Sequence, residues 1–215
     1  MQLTKYAHAC VRVEKPSGVL VLDPGEWAEP EALADATAVL VTHEHFDHLD
    51  APKIKAAQEA RPDLAVYGTP GAVVALRQAG VTARAVEPGD EFTAAGFAVS
   101  AVGGLHAEIY HGLPGCANVG FILDGALYHP GDALFVPDQP VRTLLLPVSG
   151  PWIKLGEAID FLAAVAPEQA YAIHDGLFSP AGLAVADRWI GGQAPTGTSY
   201  ARLTPGQTAE STVEE

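Results

Sequence analysis

The sequence predicts an α/β (α+β) domain. Short apolar runs rich in Val, Leu and Ile alternate with amphipathic stretches of helical length, and Gly, Pro and Asp mark the junctions. At 215 residues the chain is long enough for one domain with a substantial core, and neither a linker nor an internal repeat divides it. The domain is expected over residues 1–190, with a C-terminal extension over 191–215.

Residues 9–13 and 18–22 read as the strands of a hairpin, turned by Lys15-Pro16-Ser17-Gly18. A short helix is expected at 30–36, then a buried strand, Ala38-Val39-Leu40-Val41. Asp50 has the character of an N-cap, and Pro52 fits the first turn of a helix running to about residue 60. A strand at 64–67 precedes a helix at 70–79, which Gly80 closes. Strands follow at 83–86, 91–93, 97–102, 119–123, 126–128 and 143–146. Helices at 155–165 and 180–190 flank a strand at 170–173. Helices placed early and late around many strands predict two packed sheets with helices on both outer faces. Beyond Gly191 the chain turns to Gly, Thr, Ser, Pro and Glu; an edge strand is expected at 200–203 and a mobile tail over the last ten or so residues. Trp27 and Trp189 read as core residues.

Function is written most densely at residues 42–48, Thr-His-Glu-His-Phe-Asp-His, directly after the 38–41 strand. Imidazole and carboxylate are the donor set of zinc and similar transition metals. Six consecutive residues cannot wrap four side chains around one ion without severe contortion. In an extended chain His43 and His45 point one way, while Asp47 and His48 lie further along. Two adjacent ions are therefore expected, one on each pair, and both need more ligands. His106, His111, Asp132 and His174 are the candidates, and His106, Asp132 and His174 each follow a strand-like run. Loops at strand ends can bring such residues to one cleft.

These residues resemble the signature of the metallo-β-lactamase-fold hydrolases. The match is to its His-x-His-x-Asp-His motif at His43, His45, Asp47 and His48, a later histidine at His106, Gly131-Asp132 and a final histidine at His174. The resemblance runs through about residues 1–190 and implies a four-layer αββα sandwich. It implies that His43, His45 and His106 hold one metal, that Asp47, His48 and His174 hold the other, and that Asp132 bridges them. Tyr6-Ala-His-Ala-Cys-Val, Leu22-Asp23-Pro24-Gly25 and Ala117-Asn118-Val119-Gly120 resemble the branch containing ascorbate-6-phosphate lactonase. The antibiotic-hydrolysing branch uses a cysteine ligand and lacks the bridging aspartate, and the oxygen-reducing diiron branch carries His-x-Glu-x-Asp. This chain has Asp132 and a histidine at position 45.

The implied chemistry is hydrolysis of an ester, lactone, thioester or phosphodiester by a hydroxide bridging two divalent ions. Zinc is the first expectation, with manganese or iron as alternatives. Asp47 is expected to ligate and also to shuttle a proton, and His111 to contact substrate or protonate the leaving group. Asp23 fits either a turn or a brace for a ligand imidazole. His8 fits either the pocket or a strand-end surface, and Trp152 either the cleft wall or the core. His129 reads as structural, Glu44 as pointing away from the metals, and Asp175 as capping a turn. A metal-binding sensor without catalysis and a nucleic-acid phosphodiesterase are the competing functions. Closed cysteine-rich sites mark structural zinc, and this donor set is neither.

A formal charge of −14 disfavours nucleic acid and anionic membranes as partners. A small-molecule substrate is expected, on a monomer or a symmetric homo-oligomer. The N-terminus lacks the apolar run of a secretory signal and no segment reaches membrane-spanning length, which predicts a cytoplasmic protein. Cys10 and Cys116 then read as free thiols.

Overall fold

Apolar side chains along the strands sort to two faces, and the two sheets they form pack against each other. The computed structural model describes residues 1–113 and 115–211. The first half of the chain gives β1 (Gln2–Lys5), β2 (Val11–Lys15), β3 (Gly18–Leu22), β4 (Ala38–Val41), α1 (Ala51–Ala60), β5 (Ala65–Gly68), α2 (Pro70–Gln78) and β6 (Arg84–Ala85). The second gives β7 (Glu91–Ala94), β8 (Phe97–Leu105), β9 (Ala117–Leu123), β10 (Leu127–His129), β11 (Thr143–Pro147), α3 (Leu155–Val165), β12 (Gln169–Ile173), α4 (Pro180–Gln193), β13 (Ser199–Ala201) and β14 (Thr208–Glu210). One seven-stranded sheet has the order β14-β1-β2-β3-β4-β5-β6 and the other β13-β12-β11-β10-β9-β8-β7.

Three apolar layers hold the four structural layers together. Leu20, Leu22, Leu40, Phe97, Phe121, Leu145 and Ile173 meet between the sheets. On the opposite face of the first sheet, Val21, Val39, Val41 and Val66 pack against Ile54 of α1 and Val73 and Leu76 of α2. On the outer face of the second, Leu144 and Leu146 meet Phe161 and Leu162 of α3 and Ile190 of α4. The switch from Leu144 to Leu145 to Leu146 shows the period-two logic: neighbours on β11 serve different layers. This is the αββα sandwich.

Local chemistry starts the helices where the sequence places them. The Asp50 side chain accepts from Lys53 N at 2.9 Å, and Thr69 and Ser179 cap α2 and α4 in the same way. Gly80 takes φ +85 just past α2. The expected helix at 30–36 is a single 3-10 turn, Pro30–Leu33.

The termini differ from expectation. β1 pairs antiparallel with both β2 and β14, while β13 adds to β12 in parallel. The extension thus supplies an edge strand to each sheet. Ser211 Oγ lies 2.9 Å from the buried Thr143 hydroxyl, so the chain is docked through residue 211. Short edge strands need little apolar content, which explains why composition alone reads as a tail. Residues 212–215 of the expected mobile segment lie outside the described residues. Neither Trp27 nor Trp189 is in the core: both are exposed, Trp189 on α4. No helix among the described residues is long and apolar enough to cross a membrane.

Candidate metal centre

Five strand ends deliver the chemistry to one rim. β3 ends at Leu22 and is followed by Asp23, β4 by Thr42-His43, β8 by His106, β10 by the turn carrying Asp132, and β12 by His174. Strands β3, β4 and β5 are parallel, as are β10, β11 and β12, and polar sites collect beyond the carboxyl ends of such strands.

Two groups of candidate ligands form there. His43, His45, His106 and Asp132 make one; His8, Asp47, His48 and His174 make the other, and within each the ligand atoms lie within 4.8 Å of one another. Asp132 joins them. Its Oδ2 is 3.3 Å from His106 Nε2 and 3.0 Å from His174 Nε2, and its Oδ1 is 3.0 Å from His48 Nε2. Asp47 Oδ2 is 3.5 Å from His174 Nε2. All seven residues singled out by the His-x-His-x-Asp-His pattern and its later partners therefore converge at one rim, with His8 beside the second group.

The outward ring nitrogens show which atoms face the centre. His43 Nδ1 is 3.0 Å from Thr42 Oγ1, His48 Nδ1 is 2.7 Å from Asp23 Oδ2, and His106 Nδ1 is 2.5 Å from the Ala107 carbonyl. Each leaves Nε2 pointing inward, the arrangement by which ligand imidazoles are usually braced. His45 is reversed: its Nδ1 lies 3.1 Å from His43 Nε2, and its Nε2 faces Cys116 Sγ at 3.8 Å.

A divalent ion fits this donor set. His48 Nε2, His106 Nε2, Asp132 Oδ1 and both ring nitrogens of His174 are buried without a hydrogen-bond partner. Native interiors rarely leave such atoms unsatisfied, and a cation beside Asp132 would satisfy the Nε2 atoms of His48, His106 and His174 together with Asp132 Oδ1. Burial opposes charge on His48, yet Asp132 and Asp23 outweigh it and hold its pKa well above 6.5. Burial and the neighbouring His48 push His43 well below 6.5. Burial would raise the Asp132 pKa, but His48, His106 and His174 hold it well below the usual carboxylate value. The carboxylate stays ionised.

His8 belongs to the second group by distance but not by donor capacity. Gly176 N donates to His8 Nδ1 at 3.2 Å, so in the neutral ring the proton sits on Nε2. That nitrogen then donates to Asp47 Oδ2 at 3.2 Å. Burial lowers the His8 pKa to about 4, which keeps the ring neutral. Its role is to orient Asp47. His174 N donates to the His8 carbonyl at 3.1 Å, and both residues sit at positive φ, 58° and 56°. These two left-handed turns lock each other.

Asp23 is the strongest brace. Besides His48 it accepts from Thr42 N and Thr42 Oγ1, both at 2.7 Å, and it is fully buried. The Asp132 turn is fixed by Asn118, which donates to the Pro130 carbonyl and accepts from Asp132 N. A Cβ on Gly131 would meet Asn118 Oδ1 at 2.3 Å, so this Gly-Asp turn tolerates no side chain there. A Cβ on Gly25 would lie 2.0 Å from the Asp47 carbonyl, which explains the glycine after Asp23-Pro24. Gly25 and Asn118 lie in segments that carry the resemblance, but their roles, like that of Thr42, come from how the strand-end loops meet.

Other expectations divide. His129 is structural: its Nε2 donates to the Ala9 carbonyl and its Nδ1 accepts from Gly131 N. Asp175 pairs with the buried Lys5 ammonium at 3.2 Å, a contact absent from the sequence reading. His111 must be corrected. Its side chain is 99% exposed beside Glu108 and is not among the residues that line the cleft. In that position it faces solvent rather than the candidate ligands. Trp152 does wall the cleft, with its ring 5.9 Å from His106 and 5.6 Å from His174. Trp27 lines the same cleft, edge-on to His8 at 4.7 Å. Glu44 borders the cleft but belongs to neither ligand group, its carboxylate lying against Gly71 at the start of α2. Cys10 and Cys116 are free thiols.

Comparison with known proteins converges on one family. Residues 2–174 match the model of the beta-lactamase superfamily domain. Protein Rv0786c of Mycobacterium tuberculosis is 38% identical over 186 residues, covering 84% of this chain and 86% of the relative. A UPF0173 metal-dependent hydrolase of Methanoregula boonei is 33% identical over 168 residues, covering 70% of each chain. The solved structure of Igni18, a metallo hydrolase from Ignicoccus hospitalis, superposes with a TM-score of 0.74 over 97% of both chains at 20% identity, which speaks to fold alone. The chain belongs to the beta-lactamase superfamily and, within it, to the UPF0173 metal-dependent hydrolases.

Proposed function

We propose that this protein is a dinuclear metal-dependent hydrolase of a small-molecule ester, lactone, thioester or phosphodiester. The observation that carries the reading is Asp132: one buried carboxylate reaches both ligand groups, with buried nitrogens around it that no protein atom satisfies. His43, His45 and His106 would hold one ion, Asp47, His48 and His174 the other, and Asp132 both. Zinc suits the donors best, with manganese or iron as alternatives. Ions bound there supply a water nucleophile ionised near neutral pH and polarise the bond under attack.

The chain's own residues supply the remainder. Asp23, Thr42 and the Ala107 carbonyl hold the imidazoles in one tautomer, so that lone pairs face the centre. Burial would raise the Asp47 pKa, but the His8 hydrogen bond lowers it, leaving the carboxylate ionised and aimed. Asp47 borders the cleft and is the protein group placed to take a proton at Oδ2 and return it to the leaving atom. Trp152 and Pro151 close one wall and limit water.

The test is elemental analysis of protein purified without chelator, then chelation and reloading with zinc, manganese or iron, each assayed on a panel of esters, lactones, thioesters and phosphodiesters. Two ions per chain and metal-dependent turnover are expected. Inactivity of every loaded form across the panel would leave a metal-binding protein without this chemistry.

A further inference from the structure

The cleft above the candidate ligands has a volume of about 510 Å³, and its lining has an unusual balance. Among the described residues that line it none is Lys or Arg, and of its three carboxylates Asp47 and Asp132 are candidate metal ligands. A site shaped for a phosphate-bearing or carboxylate-bearing molecule places guanidinium, ammonium or helix-start N–H groups around the anion. Here the rim is apolar instead. Trp27, Phe46, Ile109 and Leu177 line it and remain 40%, 53%, 44% and 49% exposed. They come from four separate loops, those after β3, β4, β8 and β12. Clustered, exposed apolar side chains from separate loops mark a binding surface rather than packing leftovers. Trp27 is held edge-on to Phe46 at 5.6 Å, so part of the rim is ordered before anything binds.

We infer that the substrate is an uncharged acyl compound, an ester, lactone or thioester whose alkyl or aryl body packs on Trp27, Phe46, Ile109 and Leu177. The inference rests on the hydrolase reading above and narrows it. Phosphodiesters and sugar phosphates, the kind of molecule the ascorbate-6-phosphate lactonase resemblance brings to mind, lack a cationic partner in this lining. In the reaction, water adds to the acyl carbon and the bond from that carbon to the leaving oxygen or sulfur breaks. One proton from the water ends on the leaving atom, giving a carboxylic acid and an alcohol or thiol. The apolar body lies outside the bond change and sets affinity through the area it buries on the rim.

The experiment uses metal-loaded protein carrying Trp189→Phe, so that fluorescence reports only Trp27 and Trp152, the two tryptophans of the cleft. It is titrated with γ-lactams of increasing alkyl tail, neutral analogues that resist hydrolysis, and in parallel with the same lactams ending in phosphate or carboxylate. The neutral series is expected to quench the signal, with Kd falling about two- to fourfold per added methylene until the cleft is filled. The anionic series should bind at least about tenfold more weakly than its neutral counterparts of equal length, since a charged tail end loses hydration on an apolar rim that has no Lys or Arg to receive it. Phe46→Lys and Leu177→Lys, at exposed positions where folding is checked by circular dichroism, should remove most of the chain-length dependence and bring the two series together. Equal or tighter binding of the anionic series, or affinity independent of tail length, would overturn the inference. Turnover of the corresponding γ-lactones separates the two readings. Graded apolar binding with no turnover of any lactone or ester sinks the hydrolase and leaves the apolar ligand. Turnover that favours the anionic lactones leaves the hydrolase and sinks the apolar substrate.

Discussion

The two ligand groups are built from the same residue types but supported differently. Around Asp47 and His48 the side chains are locked: Asp23 holds His48 through a buried 2.7 Å contact and His8 holds Asp47, while His174 is fixed through its backbone, which shares a hydrogen bond with His8 between two left-handed turns. Around His43, His45 and His106 the braces are a hydroxyl, a thiol and a backbone carbonyl, and His45 is half-buried. One half is a rigid, charge-braced floor and the other a softer wall next to the cleft. Ligand type alone therefore does not set the strength of a site; the second ring nitrogen's partner does.

The largest effect is expected where the comparison disappears, at the shared carboxylate. Asp132→Asn keeps shape and hydrogen-bonding to Asn118 but removes the charge that serves both groups. Metal content should fall on both sides and turnover by on the order of a thousandfold, the rate equivalent of several kcal/mol of lost charge stabilisation. If elemental analysis showed one ion fully retained, Asp132 would belong to a single group. Asp23→Asn acts directly on His48 and only through Thr42 on His43. Loss of a supporting carboxylate costs about 10–100-fold in metal affinity, so titration with a competing chelator should show one weakened ion and one nearly unchanged. Equal weakening of both would mean that the path through Thr42 matters as much as the direct contact.

Acid should separate the halves too. Metal binding requires a neutral imidazole, and protons compete for it. His48 holds its proton above the ordinary value of 6.5, because Asp132 and Asp23 outweigh the opposing effect of burial. His43 and His45 lie below that value, burial being the main cause for both. As pH falls, proton competition therefore begins in the His48 group at a higher pH than in the His43 group. Dialysis across a pH series followed by metal analysis should show two steps, with the first ion leaving while the second remains. A single step releasing both would remove the asymmetry.

Much of this was readable from sequence, and the reasons are local. The helix start at Asp50, the helix end at Gly80 and the buried Ala38–Val41 strand follow from capping chemistry and apolar runs that need no distant partner. The candidate ligands were legible because four of them are adjacent and the others share a strand-end setting. What was hidden depends on pairings across the fold. Asp23 meets His48 over 25 positions, Lys5 meets Asp175 over 170, and β14 meets β1 across nearly the whole chain. His111 and Trp27 were misplaced for one reason: a loop's direction decides whether a histidine points at the centre or at solvent, and whether a tryptophan faces the core or a cleft.

The smallest effect is expected at Cys116, which looks prominent because its sulfur faces a candidate ligand. Burial, helped by the nearby Glu44 charge, pushes its thiol up to about 11, so the group is neutral at physiological pH. A neutral thiol is a weak acceptor, and at 3.8 Å from His45 Nε2 it restrains that ring only loosely. Cys116→Ser should therefore change metal affinity by no more than about twofold, against the 10–100-fold expected for Asp23→Asn. Chelator competition on the two variants side by side measures the difference. A loss at Cys116→Ser as large as that at Asp23→Asn would show that the softer half depends on its sulfur, and the contrast between a charged and a neutral brace would no longer explain the two halves.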